Sequence, residues 1–427
     1  MAQRPNVLIV FSDQESHHDL LPGVSAPHQD RLAARGTVFA QSYCTTPQCS
    51  PARGSILTGL YPHQTGVQTN LDAAHARELP PGTLTLGGRA RAAGYRTAYF
   101  GKWHLSQRPG AEAFGFDVPG HPSGHGDRAV AEQAAAWLQG QGEEPWLAMV
   151  SFVNPHDIYN FPRRSDYPVR PEVAPPPSLG DDLAAKPSAQ ARFLHEDQGR
   201  PLVGADEERW RQYRSMYYDL VGEVDGHLGR LLDVLDGRGT ARETCVVYTS
   251  DHGDLAGAHG LPFKGPCMYE ELVRVPLIVR WPGVVPAGNV AAGLVSHLDL
   301  VPTLCAAMGG AAPSGLPGRN LLDLLAGRAW REELFFEYLA KQRWVCPIRT
   351  IRSGPWKMNV YLQGGIELYH LGEDPHEMIN LAGSEAHRTV VDELTARLAR
   401  WREETGDSLP REHTASVDAA GTARVQS

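Results

Sequence analysis

Along the chain, short apolar runs recur, and most of them break off at a charged residue or a histidine. Val7–Phe11 gives way to Asp13, Thr97–Phe100 to Lys102, Trp146–Val153 to His156 and Thr244–Thr249 to Asp251, while Val275–Trp281 stops at Pro282-Gly283. Runs this short, rich in β-branched and aromatic residues, predict buried strands. Between them the apolar spacing changes to three and four residues. Ala129–Leu138 reads as a helix, and so does Glu207–Leu235, where Leu220, Val224, Leu228, Leu231 and Leu235 mark one apolar stripe. Strands alternating with helices predict an α/β fold, a mostly parallel doubly wound sheet flanked by helices. Ligands of such sheets bind beyond the carboxyl ends of the strands, where Asp13, Lys102, His156 and Asp251 fall.

Past residue 330 the texture changes. Leu334–Tyr338, Trp344–Ile351, Trp356–Tyr361 and Glu367–Tyr369 predict short antiparallel strands, followed by a helix over Thr389–Glu403. The predicted organisation is therefore a catalytic α/β domain over residues 1–330, a small α+β subdomain with an antiparallel sheet over 331–405, and a polar, loosely held tail over 406–427. Phe161–Lys186, with prolines at 162, 168, 171, 175, 176 and 177, predicts a long irregular excursion that walls the site.

Composition narrows the function classes. A chain of 427 residues has room for one large domain and a smaller one, and its 42% hydrophobic and 21% charged content suits a globular enzyme. A net charge of −9 argues against general nucleic-acid binding, so an anionic substrate needs cations placed locally. Only five of the basic residues are lysines, at 102, 186, 264, 341 and 357. No run approaches the roughly 20 apolar residues of a membrane span. Met1–Pro5 leads straight into the first strand without a secretory leader. The six cysteines (44, 49, 245, 267, 305 and 346) lack disulfide-like spacing. These features predict a bacterial cytoplasmic protein with neither a membrane nor a nucleic acid as partner.

Asp13-Gln14 and Asp251-His252 bring three oxygen donors and an imidazole to two strand ends, which suits a divalent cation. Calcium is the first choice, and the imidazole makes manganese or magnesium credible. Either pair alone would read as a turn or helix cap. Cys49 alone would read as a small buried hydrophobe. Its spacing to Arg53 is too short for a cysteine-phosphatase loop, and Cys44 with Cys49 has no second pair to complete a zinc site. Ser50 suits a helix cap and Pro51 a first turn, so a helix is predicted over Ser50–Leu57 with its positive end facing residue 49. An anion there would be stabilised by backbone N–H groups and by Arg53.

Cys49-Ser50-Pro51-Ala52-Arg53 continues into Gly54-Ser55-Ile56-Leu57-Thr58-Gly59. Gly101-Lys102-Trp103-His104-Leu105, Pro155-His156, Asp251-His252-Gly253, Lys264, Asp374-Pro375 and Asn380-Leu381-Ala382 follow in order. With this set, over nearly its whole length, the chain resembles the formylglycine-dependent (type I) sulfatases of the alkaline-phosphatase superfamily. The resemblance implies that a separate maturation enzyme oxidises Cys49 to formylglycine before folding. The hydrated aldehyde then attacks sulfur through one hydroxyl, polarised by the metal, and displaces the alcohol. Its second hydroxyl lets the diol collapse and expel sulfate, a form of covalent catalysis. Asp13, Gln14, Asp251, His252 and residue 49 would hold the metal. Arg53 and His104 would hold the diol, with His104 as the base for its collapse. Lys102 and Lys264 would bind the sulfate oxygens, and His156 would serve the leaving oxygen.

Tyr159 and Asn160, just after His156, are the expected substrate contacts, and His17 and His259 are weaker candidates for the pocket lining. Gln14 stands where many relatives carry aspartate, and His252 where many carry asparagine. Members sharing these variants also cleave phosphonate monoesters and phosphodiesters. The leading expectation is hydrolysis of a small-molecule or saccharide sulfate ester, the alternative a phosphonate monoester or phosphodiester. Oligomeric state is left open, with the tail as the segment available for contacts.

Overall fold

The computed structural model describes residues 4–73, 76–119, 126–310, 314–341, 344–408, 416–417 and 423–424. Its main sheet has eight strands. In chain order they are β1 (Asn6–Asp13), β2 (Thr37–Tyr43), β3 (Arg96–Gly101), β4 (Val118–Pro119), β5 (Trp146–Pro155), β6 (Thr244–Ser250), β7 (Leu277–Arg280) and β8 (Asn289–Ser296). Across the sheet the order is β4-β3-β5-β1-β6-β7-β2-β8. Every neighbouring pair is parallel except those of β7, which runs antiparallel to β6 and β2. The expected mostly parallel, doubly wound sheet is present.

β1 explains why the middle of the sheet is apolar on both faces. Val7, Ile9 and Phe11 point to one layer, where Ile56, Leu57 and Leu304 pack; Leu8 and Val10 point to the other, with Ala131, Leu138, Leu228 and Leu231. The helices of the second layer run from Gly126 to Gln139 and from Glu207 to Gly237, close to the predicted spans. Such two-sided burial is what a parallel sheet between helices requires. Besides the two-residue β4, two longer strands, β2 and β8, lie outside the predicted set. Their faces are partly exposed and their sequences mix Thr, Gln, Ser, Asn and Gly with apolar residues, so no continuous apolar run marks them.

The second sheet is an antiparallel meander of β9 (Glu333–Lys341), β10 (Trp344–Ser353), β11 (Trp356–Tyr361) and β12 (Ile366–His370). One face is covered by the helix Arg388–Thr405, whose Val391, Leu394, Leu398 and Trp401 pack on Ile351, Met358 and Leu368. The other merges with the catalytic layer: Phe336, Tyr338 and Ile348 share a cluster with Tyr43, Tyr269 and Leu272. Asp407, placed in the tail by the sequence, is buried and pairs with Arg349 at 2.7 Å. Most of the tail beyond it lies outside the described residues; of the part described, Ser416–Val417 pairs with Ala423–Arg424. In the irregular excursion, Phe161 and Val173 pack on Trp210 and Tyr213 of the long helix. No helix among the described residues is long and apolar enough to cross a membrane.

Candidate active site

Four strand ends, one helix start and, for Lys264, the loop that follows β6 deliver the predicted residues. β1 and β6 pair in parallel up to Ser12 and Ser250, so Asp13 and Asp251 leave the sheet side by side. The chain then turns sharply: Gln14 adopts a left-handed conformation (φ 81°) and its N–H donates to Asp251 Oδ1 at 3.1 Å. Non-glycine residues rarely hold that conformation without compensation, and they gather at functional sites. β3 ends on Gly101 at φ 89°, where a Cβ would lie 1.9 Å from the Ser151 carbonyl oxygen. Only glycine fits, and the turn sends Lys102 into the site. His156 follows Pro155 at the end of β5.

The helix that opens on Cys49 runs Cys49–Thr58, one residue earlier than predicted. Ser50 is therefore no cap. Gln48 holds the cap position without a side-chain bond to the helix, and the Ser50 N–H donates to Asn70 Oδ1 at 3.0 Å. Asn70 arrives from a loop, which is why the local sequence pointed to Ser50.

Cys49 Sγ stands where the side chain of a modified residue 49 would stand. It lies 3.5 Å from Asp13 Oδ1, 3.3 Å from His252 Nε2 and 2.8 Å from Lys264 Nζ. Lys264 Nζ also donates to Gln14 Oε1 at 2.9 Å and approaches His252 Nε2 at 2.9 Å. Ligand atoms of Asp13, Cys49, Asp251 and His252 all lie within 4.8 Å of one another, every one of them buried. Two carboxylates and an imidazole so close together, with an amide oxygen beside them, suit a divalent cation.

Arg53, expected to hold the diol, lies among the strand-end carboxylates. Its fully buried guanidinium clamps both carboxylates, Nε to Asp251 Oδ2 at 2.8 Å and Nη2 to Asp13 Oδ2 at 2.9 Å. Nη1 donates to the Lys102 carbonyl at 2.7 Å and to Ser151 Oγ at 2.5 Å. Among the described residues it makes no hydrogen bond to the Cys49 thiol, and its contacts brace the two carboxylates. Lys102 Nζ adds a 2.5 Å contact to Asp13 Oδ2.

This crowding sets the protonation states. Burial and Cys49 would raise the Asp13 carboxyl, but Lys102, His156 and Arg53 outweigh them and hold it far below its usual range. Asp251 is pushed up by burial and by the charge of Asp13. Burial would raise the Cys49 thiol, yet Lys102, Lys264, His252 and His104 draw it well below its usual value. His156 is pushed down by burial and by Lys102, which favours the neutral ring. Three cations (Arg53, Lys102 and Lys264) face two carboxylates, a balance suited to anions.

The remaining candidates separate clearly. His104 is half-buried at φ 55°, and its Nδ1 has no partner among the described residues. Tyr159 stacks on Phe263 at 4.2 Å and lies 4.9 Å from the His156 ring, with Lys264 Nζ 5.8 Å from its own ring. Asn160 lies on the exposed side of that turn. His17 and His259 are not brought to the cluster. His17 is buried beside Asp19 and Arg274, while His259 bonds Asp181 at 2.6 Å and stacks on Tyr269. Beyond the prediction, Asp254 accepts from Gln14 Nε2 at 2.6 Å and from Tyr213 Oη at 3.0 Å. Its place three residues after Asp251 was the available signal.

A profile of the sulfatase family matches residues 5–311, and one described as N-sulphoglucosamine sulphohydrolase, C-terminal, matches 257–404. The chain belongs to the sulfatase family of the alkaline-phosphatase superfamily and is an enzyme of that class. It is 28% identical to a Delta 4,5-hexuronate-2-O-sulfatase of Bacteroides thetaiotaomicron over 93% of this chain and 88% of that one. A solved 2-O GAG sulfatase superposes with a TM-score of 0.84 at 26% identity, covering 97% of this chain and 96% of the other. The phosphonate monoester hydrolase of Agrobacterium radiobacter shares the fold, with a TM-score of 0.80 at 23% identity over 99% and 100%.

Proposed function

We propose that this enzyme hydrolyses a sulfate ester to sulfate and an alcohol, with Cys49 converted to formylglycine. A divalent metal, calcium by first choice, would be held by Asp13, Gln14, Asp251, His252 and residue 49. The observation that carries this reading is the position of Cys49 Sγ, within 3.5 Å of Asp13, His252 and Lys264 together. A hydrated formylglycine at residue 49 would supply one hydroxyl for attack on sulfur and a second whose deprotonation would expel sulfate; the metal would add positive charge beside it. Lys102 and Lys264 offset the charge of the sulfate oxygens. His156, held neutral, offers an N–H to the leaving oxygen, and His104 offers a ring nitrogen for the proton released on collapse. Cys49 is fully buried in the folded chain, which supports maturation by a separate enzyme before folding. Six buried thiols without a disulfide support a reducing compartment, the cytoplasm.

The relatives' names support a sulfated saccharide as substrate. The second reading, phosphonate monoester or phosphodiester hydrolysis, is favoured by Gln14, because a neutral ligand leaves the site one negative charge poorer. Matured protein is expected to turn over an aryl sulfate with higher kcat/KM than the matching aryl phosphonate monoester, and a large phosphonate preference reverses the ranking. Mass spectrometry of the peptide spanning residue 49 is expected to show thiol-to-aldehyde conversion in active protein. Full activity with an intact thiol would refute the nucleophile.

A further inference from the structure

β9 ends on Lys341, which belongs to none of the motifs singled out in the sequence. Lys341 is 3% exposed, and its ammonium donates to the backbone carbonyl of Lys264. The side chain of Lys264 in turn reaches to 2.8 Å from Cys49 Sγ. Gln48, just before Cys49, fixes the same strand end by donating through Nε2 to Ala340 O at 2.6 Å. The antiparallel subdomain thus brings one amine to the backbone of the lysine whose side chain touches Cys49.

The other four lysines show what is unusual about it. Lys102 pairs with Asp13 at 2.5 Å and Lys186 with Asp181 at 3.1 Å. Lys264 lies 4.0 Å from Asp13, and Lys357 sits between Glu270 at 2.9 Å and Glu377 at 2.7 Å. Lys341 alone makes no ion pair among the described residues. Its hydrogen-bond acceptor is a neutral carbonyl, and its Nζ stands 5.3 Å from the centre of the Phe193 ring. Asp197, Cys49 and Asp72 act on it only at longer range. An ammonium has three donors, and burying it without a carboxylate is costly. Burial and the charge of Lys264 bring Lys341 down to about 7.

We propose that Lys341 determines specificity by binding a second oxyanion, a carboxylate or sulfate, on the alcohol portion of the substrate. The preferred substrate is then a sulfated acidic sugar rather than a neutral sulfate ester. This rests on the sulfate-ester reading for where the first sulfate sits.

The test compares a hexuronate sulfate and a disulfated hexose with a neutral hexose monosulfate. One readout is kcat/KM of the matured, metal-loaded enzyme. The other is calorimetric binding to the Cys49→Ala protein, which needs no turnover and so separates failure of this proposal from failure of the hydrolase assignment. The unsubstituted chain is expected to favour both dianions by about ten- to a hundredfold, the span of one charge-assisted hydrogen bond. In Lys341→Met that ratio falls to within about threefold, mainly through KM, while Lys341→Arg keeps most of it. Loss of preference for only one dianion identifies carboxylate or sulfate as the group bound. A ratio near one in the unsubstituted chain, or an unchanged ratio in Lys341→Met, overturns the proposal. The first of these needs no variant to fold.

Discussion

The amide of Gln14 can turn either end toward the Asp13–Cys49–Asp251–His252 cluster, and Asp254 decides which. Because Nε2 donates to Asp254 Oδ2 at 2.6 Å, Oε1 faces the ligand cluster. Asp254→Asn offers a donor where an acceptor stood and permits the flip. Divalent-metal affinity is expected to fall by about 10- to 100-fold, the usual cost of losing such an outer partner, in a calorimetric titration. An unchanged affinity would show that Gln14 is not oriented this way. Arg53 offers a second test. Arg53→Met leaves the buried Asp251 without its cation and Asp13 with its lysines alone, and should cost about 3–5 kcal/mol in urea unfolding of metal-free protein. Metal should restore more stability to the variant than to the original chain. At this scale the strand-end carboxylates and Cys49 were legible, since each follows a local pattern. The work of Arg53 was not, because its partners come from β1, β3, β5 and the end of β6.

At the scale of elements, apolar runs marked the strands that are buried on both faces. They could not mark the half-exposed β2 and β8, nor the direction of β7, because an apolar run has no polarity. The joint between catalytic layer and second sheet was equally hidden. There His63 Nδ1 meets Glu337 Oε1 of β9 at 3.0 Å, and Glu337 also faces Arg349 at 3.5 Å. Burial would lower His63, but its hydrogen bond to Glu337 outweighs this and leaves it above 6.5. A folded value above the unfolded one gives stability that is complete below pH 6.5 and fades as pH climbs through the folded value. The melting-temperature gap between the original chain and His63→Gln should therefore be widest below pH 6.5 and narrow above it. A gap that widens with rising pH would contradict the ion pair.

Across the whole molecule, the second sheet shares its inner core with the catalytic layer and supplies Lys341 to the site. The family match over 257–404 spans the predicted boundary at residue 330 in the same way. A chain ending at residue 330 would expose Tyr43, Tyr269 and Leu272, so it should not fold cooperatively. Full-length protein should unfold in a single calorimetric transition, and two well-separated transitions would show that the parts are independent. The most direct test of the site is anomalous scattering from crystals of the matured protein soaked in manganese. One peak is expected, bounded by Asp13, Gln14, Asp251, His252 and residue 49, with the Lys264 ammonium withdrawn from those atoms. A peak elsewhere, or none there at saturating metal, would contradict the account.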